Sequence, residues 1–225
     1  MLCCRVVLLS FAVLFTACMT CSILFPIFRK EENDPARTRH TVYYWYMELT
    51  TFATSEPSSE TLTRRFYTRD LPCQEAKMLY VASSAISVAA AGVGGAVCLI
   101  LACWTSAGHS FAISFAGFMT TLLSMACAGA VVGLSTYIFT HDFCAADAAA
   151  AGYQKAPQKD GYAMVEGFGL ACAAAGGFFI IAVAQLVGLC HGCQPSAGSS
   201  ERARHPKNTL DSRCSDDDLA ISRSH

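Results

Sequence analysis

The residues of this 225-residue chain whose types and spacing invite chemistry are mostly cysteines, of which it has 13. Cys190-His191-Gly192-Cys193 has the CxxC spacing shared by zinc sites and thiol oxidoreductases. Zinc would need further ligands, and the next His and Cys downstream are the distant His205 and Cys214, in a tail of Ser, Arg and Asp. A redox pair would need a βαβ setting that the sequence does not offer. No metal or cofactor is therefore expected. Cys190 and Cys193, with Cys3 and Cys4, fit a second chemistry, thioester acylation of thiols beside a membrane. The plain alternative is cysteine as a small residue at a helix end. Cys73 and Cys144 fit a third. Each is the single cysteine of a polar stretch, and an oxidising compartment would tend to join such thiols across about 70 residues. Pairing with another subunit, or staying reduced, remains open for both. Cys18, Cys21, Cys98, Cys103, Cys127 and Cys172 lie in or at the edge of apolar runs and read as packing residues.

Other chemistry is sparse. HExxH, GxSxG and a phosphate-binding glycine loop are absent from the sequence, so no enzyme is expected. Inside the apolar runs the one ionisable carboxylate is Glu166, near a run's start, and the one deep amide is Gln185. Proton-coupled transport and voltage sensing use costly intramembrane charges, so neither is expected. Glu166 reads as a helix-start residue favoured by the helix dipole. Ser215 precedes Asp216, Asp217 and Asp218, a context for an acid-directed kinase or simply a solvated acidic run. Neither Asn33 nor Asn208 opens a glycosylation sequon.

The elements that must position these groups follow from composition. The chain is 53% hydrophobic, only 15% charged, and has net charge −1. A soluble domain carries about 25% charged residues, and near-zero net charge gives no reason to invoke nucleic acid. Four apolar runs, 6–28, 78–104, 111–139 and 163–189, reach the roughly 20 residues that span a bilayer as a helix. The first is too long for a signal-peptide core and is read as retained. Between them lie residues 1–5, a large loop at 29–77, a turn at 105–110, a second loop at 140–162, and a tail at 190–225 of disordered composition. The expected fold class is an all-α membrane protein, a four-transmembrane-helix bundle with a small strand-containing extracellular first loop. Within that loop, 40–52 is dense in β-favouring residues, 61–67 is a weaker strand candidate, and 54–60 has turn composition. Tyr43, Tyr44, Trp45 and Tyr46 would form an aromatic face there, or else an interfacial belt.

Helix association in lipid depends on small residues. Ser83, Ser87, Ala91 and Gly95 form one candidate ridge, Gly129 and Gly133 a GxxxG pair, and Gly167, Ala171 and Ala175 a third ridge with Gly169, Ala173 and Gly177 adjacent. These would pack inside one bundle or between subunits. Orientation is argued in two directions. Cytosolic ends would leave ten basic residues outside in the two loops against six inside, contrary to the positive-inside rule. The terminal cysteine pairs and the single cysteine of each loop favour cytosolic ends, and that orientation is expected.

Four helices with a dominant first loop resemble claudin-type proteins, and in detail the amastins, surface proteins of trypanosomatid parasites. The similarity runs from about residue 41 to 189. Cys73 stands where amastins have a cysteine before the second helix. Tyr137, Phe139 and Cys144 match an aromatic helix end followed by a cysteine. Tyr162, Gly167, Phe168, Gly169 and Leu170 match a tyrosine leading into a glycine-rich fourth helix. Val42, Tyr43, Tyr44 and Trp45 match the centre of the first-loop signature. Thr41 and Thr51 stand where its two cysteines would, and Tyr46 replaces its glycine. The resemblance implies a multi-pass plasma-membrane protein with a non-enzymatic role at the host–parasite boundary. Its partners would be membrane lipids, a second copy or another surface protein. A channel or transporter accessory subunit, or a lipid-organising protein of internal membranes, are the alternatives.

Overall fold

The computed structural model describes residues 2–32, 38–52, 62–106, 111–144 and 154–192. Four helices are long and apolar enough to cross a membrane: α1 (Leu2–Leu24), α2 (Gln74–Ser106), α3 (Phe111–Thr140) and α4 (Glu166–Gly192). Five strands accompany them: β1 (Phe28–Glu32), β2 (Thr38–Val42), β3 (Tyr46–Thr51), β4 (Leu62–Tyr67) and β5 (Ala163–Met164). The chain is thus a multi-pass membrane protein, mostly helical, with a small antiparallel sheet. The expected tail disorder falls largely, and the 54–60 turn wholly, outside the described residues.

The apolar runs and the helices differ at their ends. The first helix stops at Leu24 rather than reaching residue 28. Pro26 has no N–H to continue it, and the apolar Ile27 and Phe28 are buried where the chain enters β1 instead. The fourth helix begins at Glu166 rather than 163, because Ala163 and Met164 pair with Arg29 and Phe28. Helix α2 has 33 residues, about 50 Å at 1.5 Å per residue. That exceeds a bilayer core of about 30 Å, so it extends beyond the 78–104 run at both ends.

Helices pack in a ring: α1 lies against α2 and α4, and α3 against α2 and α4. The buried positions alternate in spacing between three and four. In α2 they include Ser83, Ser87, Ala90, Gly94, Val97 and Leu101; in α3, Gly117, Thr121, Ser124, Ala128, Val131 and Ser135. This heptad-like seam stays on one face of a helix because it drifts only about 20° per seven residues. A ridge at strict spacing of four drifts about 40° per step. For that reason the expected ridge Ser83, Ser87, Ala91, Gly95 turns out of the interface halfway: Ala90 and Gly94 are buried while Ala91 and Gly95 are only partly so. In α4 Gly167, Ala171, Ala174, Phe178 and Ile181 are buried; Ala175 is half-buried, and Gly169 and Ala173 are exposed. Large apolar side chains such as Phe11, Leu99, Leu123 and Phe179 point outward, where contact with lipid tails is favourable.

The sheet has the order β4-β3-β2-β1-β5 and is antiparallel throughout. Its register places Met164, Phe28, Val42, Met47 and Phe66 directly opposite one another in a single row. Burial falls along that row, from Phe28 at 0% exposed through Val42 at 4% to Phe66 at 54%. Phe28 packs on Phe139 at the C-terminal end of α3, ring centroids 5.3 Å apart. The β1 side is therefore anchored to the helix ends and the β4 side stands away from them. The β-favouring stretch 40–52 supplies most of β2 and all of β3, with a hairpin turn closed by Tyr43 N–H donating to the Tyr46 carbonyl at 2.9 Å.

Candidate interaction surface

The turn between β2 and β3 divides its aromatic residues between two jobs. Tyr44 is fully buried, and its hydroxyl lies 3.4 Å from Ser135 Oγ of α3. Desolvation raises its pKa above the ordinary tyrosine value. It is an anchor, and the expectation that it belongs to an exposed aromatic face is corrected. A hairpin turn must send some of its side chains toward the helix ends, and here that residue is Tyr44. Thr68 holds the turn from outside, its hydroxyl donating to the Trp45 carbonyl at 3.0 Å. Tyr43 and Tyr46 stack at 4.5 Å, and Trp45 is exposed. Arg65 lies 5.4 Å from the Tyr46 ring and is paired with Glu48 at 3.2 Å. Burial, then the neighbouring Tyr46 and Glu48, pushes the Tyr43 hydroxyl up.

On the opposite face of the sheet is a hollow of about 130 Å³, lined by His40, Val42, Met47, Leu49, Phe66 and Tyr162 among others. Tyr162 comes from the second loop, so both polar loops build this hollow. Burial, with Asp160 and Glu32 nearby, pushes the Tyr162 hydroxyl up to about 12. Lys30 lies 6.0 Å from the same ring and pairs with Asp160 at 3.7 Å. The side facing β4 has no such cover: Phe66 and Leu62 remain exposed.

The second loop is fastened at three points. Cys73 and Cys144 form a disulfide with Cα atoms 6.0 Å apart. Cys144 has a φ of 55°, a left-handed conformation costing a non-glycine residue about 1–2 kcal/mol. Asp142 accepts the Ala156 N–H at 2.8 Å and pairs with Lys159. The Lys159 hydrogen bond, followed by that of Ala156, holds the Asp142 carboxyl below its ordinary range. Glu166, the first residue of α4, pairs with Arg29 of β1 at 3.2 Å. Nothing in the sequence marks Asp142, Lys159 or Thr68 as fasteners, since their partners lie 14 or more residues away.

The remaining sequence-derived candidates separate. Gly129 and Gly133 are exposed, and a Cβ at either would meet nothing within 4 Å. They face away from the chain's own bundle, so of the two uses the sequence allowed, packing inside one bundle or between subunits, only the second fits them. Gly167 and Gly177 are the close-approach glycines of α4. A Cβ on Gly167 would lie 2.7 Å from the carbonyl oxygens of Phe25 and Pro26, and one on Gly177 would overlap the Phe15 ring. Cys3 and Cys4 fall in the first turn of α1 and Cys190 in the last turn of α4, at the end of the bundle opposite the sheet. Cys193 lies outside the described residues. Among the described residues no three His, Cys, Asp or Glu side chains converge. No family model and no curated protein matches the chain.

Proposed function

We propose that this chain is a non-enzymatic, amastin-like surface protein of the plasma membrane, with cytosolic ends and its sheet facing outward, serving as an interaction or membrane-organising module at the host–parasite boundary. One observation carries the reading. Both polar loops contribute to one disulfide-fastened sheet, whose outer strand among the described residues exposes Leu62, Phe66 and Tyr67. A disulfide belongs in an oxidising exterior, which supports the sidedness. Apolar side chains held on a rigid sheet, away from the helices, are what a partner surface uses. The cysteines at the other end would then meet the cytosolic leaflet, where palmitoylation of Cys3, Cys4, Cys190 or Cys193 would add lipid anchorage. A photo-crosslinking residue at Leu62 or Trp45, activated on intact cells, tests the reading. Discrete adducts with a second polypeptide are expected, and their absence at both positions would remove it.

A second reading, an accessory subunit of a channel or transporter, is favoured by Gly129 and Gly133, which offer a small-residue face to a neighbouring helix. A crosslinker at Gly133 that captured a larger membrane protein would favour it over the first.

A further inference from the structure

Among the described residues strand β4 is the outer strand of the sheet, and all six of its residues are exposed. The bond from Thr68 N–H to the Trp45 carbonyl sets the hydrogen-bonding alternation. Leu62, Arg64 and Phe66 bond inward to β3, so Thr63, Arg65 and Tyr67 turn their N–H and C=O groups to the open side. Such an edge is a template for another strand. Beside it lies the hollow, whose outer wall is Phe66. Arg64 shares the face of Phe66 and Leu62, and among the described residues no acidic group pairs with it. Arg65, on the other face, is occupied by Glu48.

These charges choose between occupants. In an antiparallel pairing of β4 with a second copy of itself, Arg64 and Arg65 of each strand would meet near the centre. On the face of Phe66 the two Arg64 guanidinium groups would then lie close together with no acidic group between them, which is destabilising. An extended segment carrying acidic residues meets the opposite situation. We propose that β4 is a docking edge for an acidic, extended segment of a different protein. This segment adds as a sixth strand, sets a carboxylate opposite Arg64, and places an apolar side chain beside Phe66 at the mouth of the hollow. Main-chain bonds supply adhesion and the alternate side chains supply selectivity. The inference rests on the reading of the sheet as an interaction module and names the chemistry of its partner.

The test uses the full chain in detergent and three fluorescein-labelled octapeptides. One repeats Glu-Thr-Val-Thr, so that Glu and Val two residues apart share the face that meets Arg64 and Phe66; one repeats Lys-Thr-Val-Thr, and one is the acidic peptide methylated at its Thr backbone nitrogens. Fluorescence anisotropy should give the acidic peptide an affinity at least about tenfold above both others, since a like-charge or unpaired contact is penalised. Arg64→Glu should invert the preference between the acidic and basic peptides. Thr63→Pro replaces an outward N–H, leaves the β3 ladder intact, and should abolish binding while the Cys73–Cys144 bond still forms. Equal binding of acidic and basic peptides would overturn the proposal. So would indifference to backbone methylation, or disulfide crosslinking of a Thr63→Cys variant to its own copy. Failure here leaves the outward orientation untouched, because surface labelling reads that separately.

Discussion

Replacing Gly167 by alanine probes the joint between the first loop and α4. The Gly167 N–H donates to the Pro26 carbonyl at 2.9 Å, and the Val165 N–H to the Ile27 carbonyl at 3.1 Å. A methyl group would sit 2.7 Å from two backbone oxygens, about 0.7 Å inside the 3.4 Å at which ordinary contact begins. The obstacle is main chain, held on one side by β1 and on the other by α1, so it cannot swing aside as a side-chain tip would. Overpacking of this kind costs about 1–3 kcal/mol, or roughly 5- to 150-fold in the folded-to-unfolded ratio at about 1.4 kcal/mol per tenfold. Gly169, two residues on, meets nothing within 4 Å. There alanine should be neutral or stabilise by about 0.5–1 kcal/mol through helix propensity. Reversible unfolding of both variants in mixed micelles, followed by circular dichroism, measures the contrast. A Gly167→Ala protein as stable as wild type, or a Gly169→Ala protein equally damaged, would refute the reasoning.

Three further outcomes are expected. Gly129→Leu and Gly133→Leu should leave monomer stability within about 0.5 kcal/mol, since surface substitutions seldom do more, while weakening any association through α3; unfolding and crosslinking read the two effects. Cys73→Ser should destabilise by about 4 kcal/mol on the loop-entropy model for a separation of 71 residues, with Cys144→Ser similar and the double variant no worse; micelle unfolding under non-reducing conditions checks it. The lowered Asp142 pKa means its clasp on Lys159 and Ala156 is at full strength above the ordinary aspartate value and is lost as pH falls through the folded one. Protection of the Ala156 amide, taken relative to its intrinsic exchange rate, should therefore fall only in acid, and Asp142→Asn should remove that pH dependence of the protection.

The helices were legible because lipid admits few alternatives to a run of about 20 apolar residues. The joints were not. Apolar character continues from α1 through Ile27 and Phe28, although those side chains serve the sheet, and Ala163 and Met164 join β1 while resembling the start of α4. Periodicity misled in one specific way: spacing of four found the buried Ser83 and Ser87, then left the seam that Ala90 and Gly94 continue. The Gly129–Gly133 motif was visible, but a motif carries no direction, and here it faces outward. Cys73 and Cys144 were readable because each polar loop offers one thiol. The inward turn of Tyr44 depends on the hairpin geometry, and the exposure of β4 on strand order across the sheet. Neither is written in local sequence.

Labelling with a membrane-impermeant maleimide, before and after an impermeant phosphine reductant, on intact cells tests the central claim most directly. Mass spectrometry should find Cys73 and Cys144 unlabelled at first, because they are joined, and both labelled after reduction, because they face outward. Labelling without reductant would contradict the bond. A pair that stayed unlabelled after reduction, yet reacted once the cells were opened, would contradict the outward-facing sheet.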